Sequence, residues 1–540
     1  MHGLIMDRAL RIIDILRHAK RNFPKVEIIS ETLEGFRHRY TYADAYARTA
    51  RLAGALTRLG AQPGDRIGTL AFNTYRHFEL YFATAGSGTV CHTINPRLFT
   101  EQLVYIINHA EDRWLFVDVC FTGLIESIAP QLNTIEAIVF LADRQHMPTT
   151  TLPNVLCYEE LLDDEADDFD WLDIDERTAS GLCYTSGTTG HPKGALYSNR
   201  GIVLHSMAFG APDCISLSMR DVIMPVVPMF HVNAWGSPFA APMFGARLVL
   251  PGPKMLDGPT LHSLINEEGV TVSLGVPTIW MALMQYLRDN GGDLEPMDRA
   301  IIGGSACPPA LMDAFRGYGV RVRHAWGMTE TSPLGVLNTP RPEFTDWPVE
   351  RQREMDTRTG HGVFGMEMKI VDENNNELPW DGEKFGALKV RGPWVCSSYY
   401  KGEHSSAFDE PGWFATGDVA TIDSYGFVQI TDRTKDLIKS GGEWISSIDL
   451  ENVAVGFDGV AEAAVISIGH PKWGERPLLV VVPEPGATID KTALLEHYHD
   501  KVAKWWIPDA VEFVDEIPHT ATGKISKLRL RERFKDYRWS

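Results

Sequence analysis

The chain has 540 residues, of which 44% are hydrophobic and 23% are charged, and its formal net charge is −20. This length is too great for one hydrophobic core and predicts two to four domains, while the composition is that of a globular protein. The acidic balance argues against a nucleic-acid partner or an anionic membrane surface, because both require a basic protein face.

Cysteine usage and apolar runs indicate the compartment. The seven cysteines are scattered and form no C-x2-C pair, which disfavours a zinc site or a disulfide framework. No apolar run approaches the roughly 18 residues of a membrane span, and the N-terminus lacks the apolar core of a signal peptide. The sequence therefore predicts a cytoplasmic protein with no integral membrane segment.

The N-terminal part of the chain alternates helix-like and strand-like segments. Residues 41–44 form a capping box, and the apolar spacing that follows predicts a helix ending at Gly60. A strand is predicted next at 66–72, then a helix at 101–109 and a strand at 114–118.

The same alternation continues through the middle of the chain. Strands are predicted at 179–183, 222–228, 270–274, 300–302 and 320–322, and helices at 261–268, 279–288 and 310–316. The prolines in 222–228 favour a strand end over a central strand. Alternating strands and helices favour parallel sheets covered by helices, which is an α/β architecture.

Beyond about residue 360 the pattern changes to short strands separated by turns, which predicts a β-rich subdomain at about 360–432. Its predicted strands are 368–372, 386–390 and 426–430. The charged stretch 432–436 indicates a domain boundary. Strands at 463–468 and 478–482 and a helix at 491–500 then predict a small α+β domain. The predicted fold class is α/β, with a large N-terminal domain of helix-covered sheets (1–432) and an α+β C-terminal domain (437–540).

The most informative segment is residues 184–194, Tyr-Thr-Ser-Gly-Thr-Thr-Gly-His-Pro-Lys-Gly. Its glycines and hydroxyl side chains can wrap an anion with N–H and O–H groups, and Lys193 adds a charge suited to phosphate. It is not a Walker A loop, because Lys193 follows Pro192 and precedes Gly194. A solvated linker is the alternative, which the neighbouring buried strand disfavours. The loop therefore predicts a polyphosphate ligand.

This loop resembles the phosphate loop of the adenylate-forming superfamily, which includes acyl-CoA synthetases, the adenylation domains of peptide synthetases and firefly-type luciferases. Four further segments resemble superfamily motifs in the same order: Trp326–Thr331, Tyr399–Asp418, Asp432–Ile445 and Pro518–Ile525. The resemblance covers essentially the whole chain. It implies ATP, Mg²⁺ and coenzyme A as ligands. A carboxylate would attack the α-phosphorus of ATP to give acyl-AMP and pyrophosphate, and a thiolate would then displace AMP.

The resemblance implies a nucleotide and metal site. The residues that would contact ATP are Thr185, Ser186, Gly187, Thr188, Thr189, Gly190, Lys193, Gly303, Gly304, Ser305, His324, Ala325, Trp326, Gly327, Met328 and Thr329. Thr185 and Glu330 would act in catalysis and bind Mg²⁺, a hard cation that prefers oxygen ligands. Asp418 would accept hydrogen bonds from both ribose hydroxyls. In isolation, a Thr-Glu pair or a Gly-Asp turn would be ordinary loop residues.

The resemblance also implies a hinge and a mobile small domain. Residues 433–436 would form the hinge, with Arg433 on ribose or phosphate and Lys435 at the position whose torsions rotate the domain. The residues that would lie near the CoA pantetheine are Lys439, Ser440, Gly441, Gly442, Glu443 and Trp444. Lys524 would neutralise the charge between carboxylate and α-phosphate. A lone lysine is usually solvated, but the Thr-Gly-Lys context favours catalysis.

Residues 228–235 bear on the acid substrate. Amino-acid-activating members of the superfamily typically carry Asp after the Phe, whereas this chain has His231. The segment resembles fatty-acyl-CoA synthetases, a subgroup that includes ligases for medium-chain acids and for 3-methylmercaptopropionate. His231, Trp235 and Pro333 are candidate acyl contacts, together with Gly303 and Gly304. Plain core packing is the alternative for Trp235.

One residue departs from the superfamily pattern, and one alternative function stays open. Asn199 stands where these enzymes often have His, and we expect it to support the loop. The alternative to an acyl-CoA ligase is a non-catalytic binder of acyl-adenylates. Retention of Lys524, Lys435, Glu330 and Asp418 favours the ligase. A homodimer is expected, because the resembling enzymes are often dimers.

Overall fold

The computed structural model describes residues 1, 3–185, 191–402, 405–441, 443–519 and 525–539, with the backbone alone at 443 and 444. It is an α/β protein with an α+β C-terminal part, so the predicted fold class is confirmed. Among the described residues, no helix has both the length and the apolar content needed to cross a bilayer.

The elements are numbered in chain order. The strands up to the middle of the chain are β1 (Glu27–Glu31), β2 (Arg37–Thr41), β3 (Arg66–Leu70), β4 (Val90–Thr93), β5 (Asp112–Val117), β6 (Ala137–Phe140), β7 (Val155–Cys157), β8 (Ala179–Tyr184), β9 (Gly194–Ser198), β10 (Val222–Pro225), β11 (Arg247–Leu250), β12 (Val272–Gly275) and β13 (Arg299–Ile302). The later strands are β14 (Arg321–Gly327), β15 (Leu334–Leu337), β16 (Gly360–Gly362), β17 (Glu367–Val371), β18 (Gly386–Arg391), β19 (Phe414–Ile422), β20 (Phe427–Arg433), β21 (Ile438–Ser440), β22 (Glu443–Ile445), β23 (Val460–His470), β24 (Gly474–Pro483) and β25 (Ala510–Phe513).

The α-helices cover the sheets. They are α1 (Ile12–Asn22), α2 (Tyr42–Arg58), α3 (Tyr75–Gly86), α4 (Thr100–Ala110), α5 (Thr122–Ile128), α6 (Tyr158–Leu162), α7 (Asn199–Phe209), α8 (Ser237–Phe244), α9 (Gly258–Glu268), α10 (Pro277–Asn290), α11 (Pro309–Gly317), α12 (Val349–Thr357), α13 (Ser447–Val455), α14 (Lys491–Glu496) and α15 (Lys527–Arg533). The capping box starts α2 as predicted: Asp44 N–H donates to Thr41 Oγ1 at 3.3 Å, and Thr41 N–H donates to Asp44 Oδ2 at 2.9 Å.

Two large sheets form the N-terminal part. The first has the strand order β7-β6-β5-β3-β4-β8-β9, and all of its pairs are parallel except the last. The antiparallel β8–β9 pair brings Tyr184 opposite Gly194, at the two ends of the predicted phosphate loop. The second sheet has the order β17-β18-β19-β20-β16-β15-β14-β13-β12-β10-β11-β1-β2. It is parallel from β11 to β14 and antiparallel from β14 to β17, so β14 joins an α/β half to a β-rich half.

The C-terminal part has its own sheet and core. Strands β22-β21-β24-β23 are antiparallel neighbours, and β25 runs parallel to β24. Helices α13 and α14 cover one face through Leu450, Ala454 and Leu494, and Leu530 of α15 packs on the other.

The carboxyl ends of several parallel strands converge and position the site. Strands β10, β12, β13 and β14 run parallel in register, so the segments that follow them meet at one edge of the sheet. Residues that follow these strands, such as Phe230, Val276, Gly303 and Met328, line one cavity there.

The structure differs from the sequence predictions in two elements and adds detail at two others. Asp418 lies within β19, and Asp432 and Arg433 of the charged stretch belong to β20. The helix predicted over 491–500 ends at Glu496. The strand β10 is interior to the sheet, between β11 and β12, because Pro225 is its last residue and the prolines interrupt no pairing within it.

Candidate active site

A cavity of about 1070 Å³ lies between the N-terminal sheets and the C-terminal part. Most of the sequence-predicted site residues in the described part of the chain line it. These are Thr185, Lys193, His231, Trp235, Gly303, Gly304, Ser305, Ala325, Trp326, Gly327, Met328, Thr329, Glu330, Pro333, Arg433 and Lys435. His324, Asp418, Lys439, Ser440 and Gly441 are not among the lining residues. Ser186, Gly187, Thr188, Thr189, Gly190, Gly442 and Lys524 lie outside the described residues.

The base of the β8–β9 hairpin is closed by two hydrogen bonds. Thr185 N–H donates to the Lys193 carbonyl at 2.9 Å, and Lys193 N–H donates to Thr185 Oγ1 at 3.2 Å. Lys193 Nζ lies 5.1 Å from the centre of the Tyr399 ring, a distance typical of a cation–π contact. The hairpin thus presents one hydroxyl and one ammonium group to the cavity.

Helix α4 supports the outer end of this hairpin through stacked rings. The Tyr105 ring stacks on the His191 ring with centroids 4.3 Å apart, and His109 stacks on the other side at 5.3 Å. Tyr105 and His109 are four residues apart, so both project from one face of α4. His109 Nδ1 also lies 2.6 Å from the Tyr184 hydroxyl. Helix α4 is thereby fixed beside the predicted phosphate loop.

Asp418 is a buried carboxylate held by two groups of the cavity wall. Its Oδ1 lies 2.7 Å from Arg433 Nε, and its Oδ2 accepts the Trp326 indole N–H at 2.8 Å. Asp418 and Arg433 are direct partners in the β19–β20 ladder. The Asp418 carboxylate raises the pKa of Arg433 above its usual range. Arg433 and Trp326 line the cavity, whereas Asp418 does not.

Glu330 is the buried acid of the cavity wall, with 5% of its surface exposed. It lies in the short 3₁₀ turn Thr329–Thr331 that follows β14, and its Oε1 accepts the Tyr399 hydroxyl at 2.6 Å. Burial raises the pKa of Glu330, and the Tyr399 hydroxyl partly offsets this by hydrogen-bonding the charged form. The Tyr197 hydroxyl donates to the Thr329 carbonyl at 2.7 Å, which ties β9 to this turn.

His324 and Gly327 shape the wall without projecting a side chain into the cavity. The His324 ring is buried, its Nδ1 lies 3.2 Å from the Thr357 carbonyl, and burial lowers its pKa, so the imidazole is neutral at pH 7. A Cβ on Gly327 would lie 1.7 Å from the Pro333 carbonyl oxygen, so only glycine fits there. Both residues keep the end of β14 close to residues 333–337.

The opposite wall is apolar and carries Trp235 on an unusual backbone. Val232, Asn233, Ala234 and Trp235 have φ of 46°, 52°, 47° and 57°, followed by Gly236 at 82°, which makes a left-handed turn of five residues. Such a turn costs about 1–2 kcal/mol per non-glycine residue. Ala234 N–H donates to the Pro228 carbonyl at 3.2 Å, and Ser237 Oγ donates to the Ala234 carbonyl at 2.7 Å. A Cβ on Gly303 would lie 3.3 Å from Trp235 Cη2, so this glycine lets the indole lie against the end of β13.

The C-terminal part contributes charged pairs to the cavity rim. His519 Nε2 lies 2.6 Å from Glu462 Oε1, and this contact raises the pKa of His519. Lys527 Nζ lies 2.8 Å from a Glu451 carboxylate oxygen. His519 and Ile525 also form a β-bridge, so residues on both sides of Lys524 face the cavity.

Buried polar contacts cross the predicted hinge. Asp432 Oδ2 accepts from the Ser447 N–H at 2.9 Å and also from the Ser447 hydroxyl, which in turn accepts from Lys527 Nζ. Burial alone would lower the pKa of Lys527, but Glu451 and Asp432 outweigh it and raise the pKa. Asp432 on β20 is thereby joined to the starts of α13 and α15.

Lys439, Ser440 and Gly441 lie apart from the cavity in the β21–β22 hairpin. Gly441 N–H donates to the Trp473 carbonyl at 2.8 Å, and Arg476 Nη1 donates to Ser440 Oγ at 3.3 Å. His519 and Ile525 of the C-terminal part line the cavity instead. The described arrangement thus turns the side that flanks Lys524, and not the predicted CoA segment, toward the cavity.

Comparison with known proteins decides the family. The pattern described as "AMP-binding enzyme" matches residues 16–400, and that of its C-terminal domain matches 449–524. The chain belongs to the AMP-binding enzyme family.

Individual relatives of this family align over nearly the whole chain. A 3-methylmercaptopropionyl-CoA ligase of Ruegeria lacuscaerulensis is 51% identical over 537 residues, covering 99% of each chain. A medium-chain-fatty-acid–CoA ligase of Ectopseudomonas oleovorans is 46% identical over 537 residues, covering 99% of this chain and 98% of that one. The crystal structure of ATP-bound MatB from Rhodopseudomonas palustris is 26% identical, with a TM-score of 0.81, and covers 97% of this chain and 99% of that one. The prediction of an AMP-forming acyl-CoA ligase is confirmed as the enzyme class.

Some groups in the site have weak sequence signals. Arg97 follows a predicted strand region in Asn95-Pro96-Arg97, which carries no recognisable ligand pattern. Glu451, Lys527 and Glu462 come from three separate elements and meet only in the folded chain. Among these three residues, only Lys527 could have been suspected from the sequence, because it lies three residues after the predicted catalytic residue Lys524.

Proposed function

We propose that this ligase activates uncharged aliphatic monocarboxylic acids of short to medium length, with 3-methylmercaptopropionate as the first candidate. The observation that carries this proposal is the lining contributed by residues 209–281. It contains no Asp, Glu, Lys or Arg among the described residues, and His231 is its one imidazole. An acid with a second carboxylate or an ammonium group would be desolvated there without a partner, at a cost of several kcal/mol.

The relatives support the same class of acid. Relatives that cover 99% of the chain are named for a thioether-containing acid, for medium-chain fatty acids and for long-chain fatty acids, and all of these acyl groups are apolar. The left-handed turn that carries Trp235 fixes the indole between the apolar wall and Gly303, so Trp235 limits the space available to the acyl chain.

The nucleotide half of the cavity supports the proposed roles of the polar residues. Asp418 is assigned to the ribose hydroxyls, which its hydrogen bond to the cavity-lining Trp326 supports, and Arg433 is assigned to ribose or phosphate. Thr185 and Lys193 hold the polyphosphate, while Lys524 approaches from the C-terminal part to meet the charge that develops between carboxylate and phosphate. Ser440 and its neighbours would reach the cavity only after the small domain rotates about Lys435, to guide CoA.

Mg²⁺ is proposed as the partner of ATP, with Thr185 and Glu330 as its protein ligands. The described residues contain no group of three Asp, Glu, His or Cys side chains that could hold a metal. Glu330 presents one buried carboxylate and Thr185 one hydroxyl, which suits an ion that takes its other ligands from phosphates and water. Bound Mg²⁺ would neutralise phosphate charge.

Release of pyrophosphate across a panel of acids tests the substrate proposal. The panel runs from acetate to stearate and adds 3-methylmercaptopropionate, succinate and β-alanine, with ATP, Mg²⁺ and CoA present. We expect the highest kcat/KM for 3-methylmercaptopropionate or an acid of four to ten carbons, and none above background for succinate and β-alanine. Trp235→Ala should extend the accepted lengths. Turnover of succinate comparable to that of the best acid would overturn the proposal.

Assembly and location remain predictions. A cytoplasmic homodimer is proposed, and the N-terminal arm supports a partner surface, because Leu4, Ile5 and Met6 have relative exposures of 100%, 90% and 93%. Sedimentation velocity of the full chain, compared with a variant carrying Ser at all three positions, tests this assignment. A monomer in both would contradict it.

A further inference from the structure

Arg97 is a cation of the cavity wall that the described part of the chain leaves without an acidic partner. It lies in the loop between β4 and α4, where its N–H donates to Asn95 Oδ1 at 3.0 Å. It lines the same cavity as Thr185, His191 and Lys193. Partial burial lowers the pKa of Arg97, and no described carboxylate offsets that burial. The guanidinium is nevertheless charged at neutral pH.

The acids that line the cavity have partners of their own. The pairs are Glu330 with Tyr399, Asp432 with Ser447, Asp436 with Arg531, Glu451 with Lys527, and Glu462 with His519. The one described lining cation besides Arg97 that lacks both an ion pair and any other charged contact is Lys193. In a chain with a net charge of −20, two cations that face one cavity and have no acidic partner among the described residues mark an anion site.

The loop that carries Arg97 adjoins both halves of the active site. On one side, α4 begins directly after it and stacks Tyr105 on His191 of the predicted phosphate loop. On the other side, the Arg529 guanidinium of α15 lies 4.8 Å from the Phe99 ring centre. Arg97 therefore lies where the N-terminal and C-terminal parts meet beside the polyphosphate end of the cavity.

We propose that Arg97 binds a phosphate group of a substrate. The group is either the part of ATP that leaves as pyrophosphate or a phosphate of coenzyme A, since both present the same oxyanion to a guanidinium. A planar guanidinium can donate two parallel hydrogen bonds to one phosphate, which the ammonium of lysine cannot reproduce. This inference rests on the proposed ligase function.

Two half-reactions of the full-length enzyme separate the two sources of phosphate. ATP–pyrophosphate exchange with the best acid of the panel reports ATP and pyrophosphate binding, and thioester formation from supplied acyl-AMP reports CoA binding. Arg97→Gln should raise the KM for one of these phosphate substrates by about 10- to 100-fold, the effect of losing charged hydrogen bonds. Arg97→Lys should recover part of the loss. If CoA is the ligand, pantetheine, which lacks the phosphates, should be used equally well by wild type and Arg97→Gln.

Controls keep the outcomes distinct. Arg220→Gln removes the same charge from an exposed turn away from the cavity and should leave every KM unchanged. Circular dichroism and the thermal midpoint verify the fold of each variant. If Arg97→Gln does not fold, the KM values of Arg97→Lys are compared with those of the wild type instead. Unchanged KM values for ATP, pyrophosphate and CoA in a folded variant would overturn the role of Arg97. A wild-type enzyme that catalyses neither half-reaction would instead overturn the proposed function.

Discussion

Glu330 shows how a buried carboxylate is kept available for chemistry at neutral pH. Its surroundings favour the protonated acid, and the hydroxyl of Tyr399 is the described side-chain donor that restores the charged form. Tyr399 lines the cavity beside Glu330, and its hydroxyl favours the charged form of that carboxylate.

Tyr399→Phe should raise the pKa of Glu330 further. If the charged carboxylate is needed for adenylation, the acidic limb of the kcat/KM profile should move to higher pH, while the rate at pH 8 changes little. The measurement is ATP–pyrophosphate exchange between pH 5 and 9. Tyr400→Phe, which alters a neighbouring hydroxyl, is the matched control. An acidic limb at the same pH in both variants would contradict this role of Tyr399.

Single residues also show where the sequence stops being informative. Asp418 is a buried acid whose charge is balanced by Arg433 of the next strand and by the Trp326 indole. The resemblance placed Asp418 at the nucleotide, but the sequence alone could not show that these three side chains meet. Arg97 had no pattern at all, because what marks it is that the described part of the folded chain offers it no acidic partner.

At the scale of elements, the left-handed turn at 232–236 is the feature that the sequence predicts least. Its residues Val-Asn-Ala-Trp carry side chains that disfavour positive φ, and only Gly236 is suited to it. Backbone and side-chain hydrogen bonds from Pro228, Cys183 and Ser237 hold it in place. Strain of this kind persists where the surrounding structure fixes it, and it lies beside the acyl wall.

Ala234→Gly should relieve part of this strain. The expected change in the free energy of unfolding is within about 0.5 kcal/mol of zero or slightly stabilising, because glycine adopts φ near +47° at little cost. The control is Ala240→Gly in α8, at an equally buried alanine within a helix. This substitution should lower the free energy of unfolding by about 1 kcal/mol. Denaturant unfolding of both variants measures the difference. Equal destabilisation would show that the turn stores no strain at Ala234.

Element prediction succeeded where periodicity is local. The capping box and apolar spacing locate α2, and the alternation of strands and helices gives the α/β class. It failed for β19, because Thr-Gly-Asp has little strand propensity and the strand is stabilised by pairing with β18 and β20. It also extended α14 too far. After Glu496 the backbone continues in turns, in which Tyr498 N–H donates to the Leu495 carbonyl and His499 N–H to the Glu496 carbonyl, three residues back and not four.

At the scale of the whole molecule, the buried polar contacts around Asp432 connect the two parts of the chain. Lys527 Nζ lies at their centre, bonded to Ser447 and Glu451. Sequence reasoning could not assemble these groups, because they come from β20, α13 and α15, which are far apart along the chain.

Lys527→Met should lower the free energy of unfolding by about 3 kcal/mol, because it leaves the buried Glu451 and Asp432 carboxylates without their cation. The double variant Lys527→Met/Glu451→Gln should lose less, since it removes both charges and keeps an acceptor for the Val465 N–H. Lys504→Met, at an exposed lysine, is the control. Calorimetry of the full chain measures these changes. A double variant that is less stable than the single one would contradict the pairing.

The two half-reactions test the role of Lys524 in the domain arrangement. Lys524→Ala should abolish adenylation while largely sparing thioester formation from supplied acyl-AMP, because the described arrangement brings its flanking residues His519 and Ile525 to the cavity. Lys504→Ala should affect neither step. Equal survival of both half-reactions in Lys524→Ala would overturn the catalytic role.

Strand β20 carries one further consequence. Arg433 and Asp432 are consecutive, so their side chains leave opposite faces of the strand. Arg433 contacts Asp418 at the proposed nucleotide site, and Asp432 accepts hydrogen bonds from Ser447 of the C-terminal part. Two adjacent residues of β20 therefore contact the proposed nucleotide site and the small domain. Any coupling between nucleotide binding and docking of the small domain must be reciprocal. If bound nucleotide favours one docking of the small domain, that docking must tighten nucleotide binding by the same factor. Product release then becomes a property of the domain equilibrium and not of the nucleotide contacts alone.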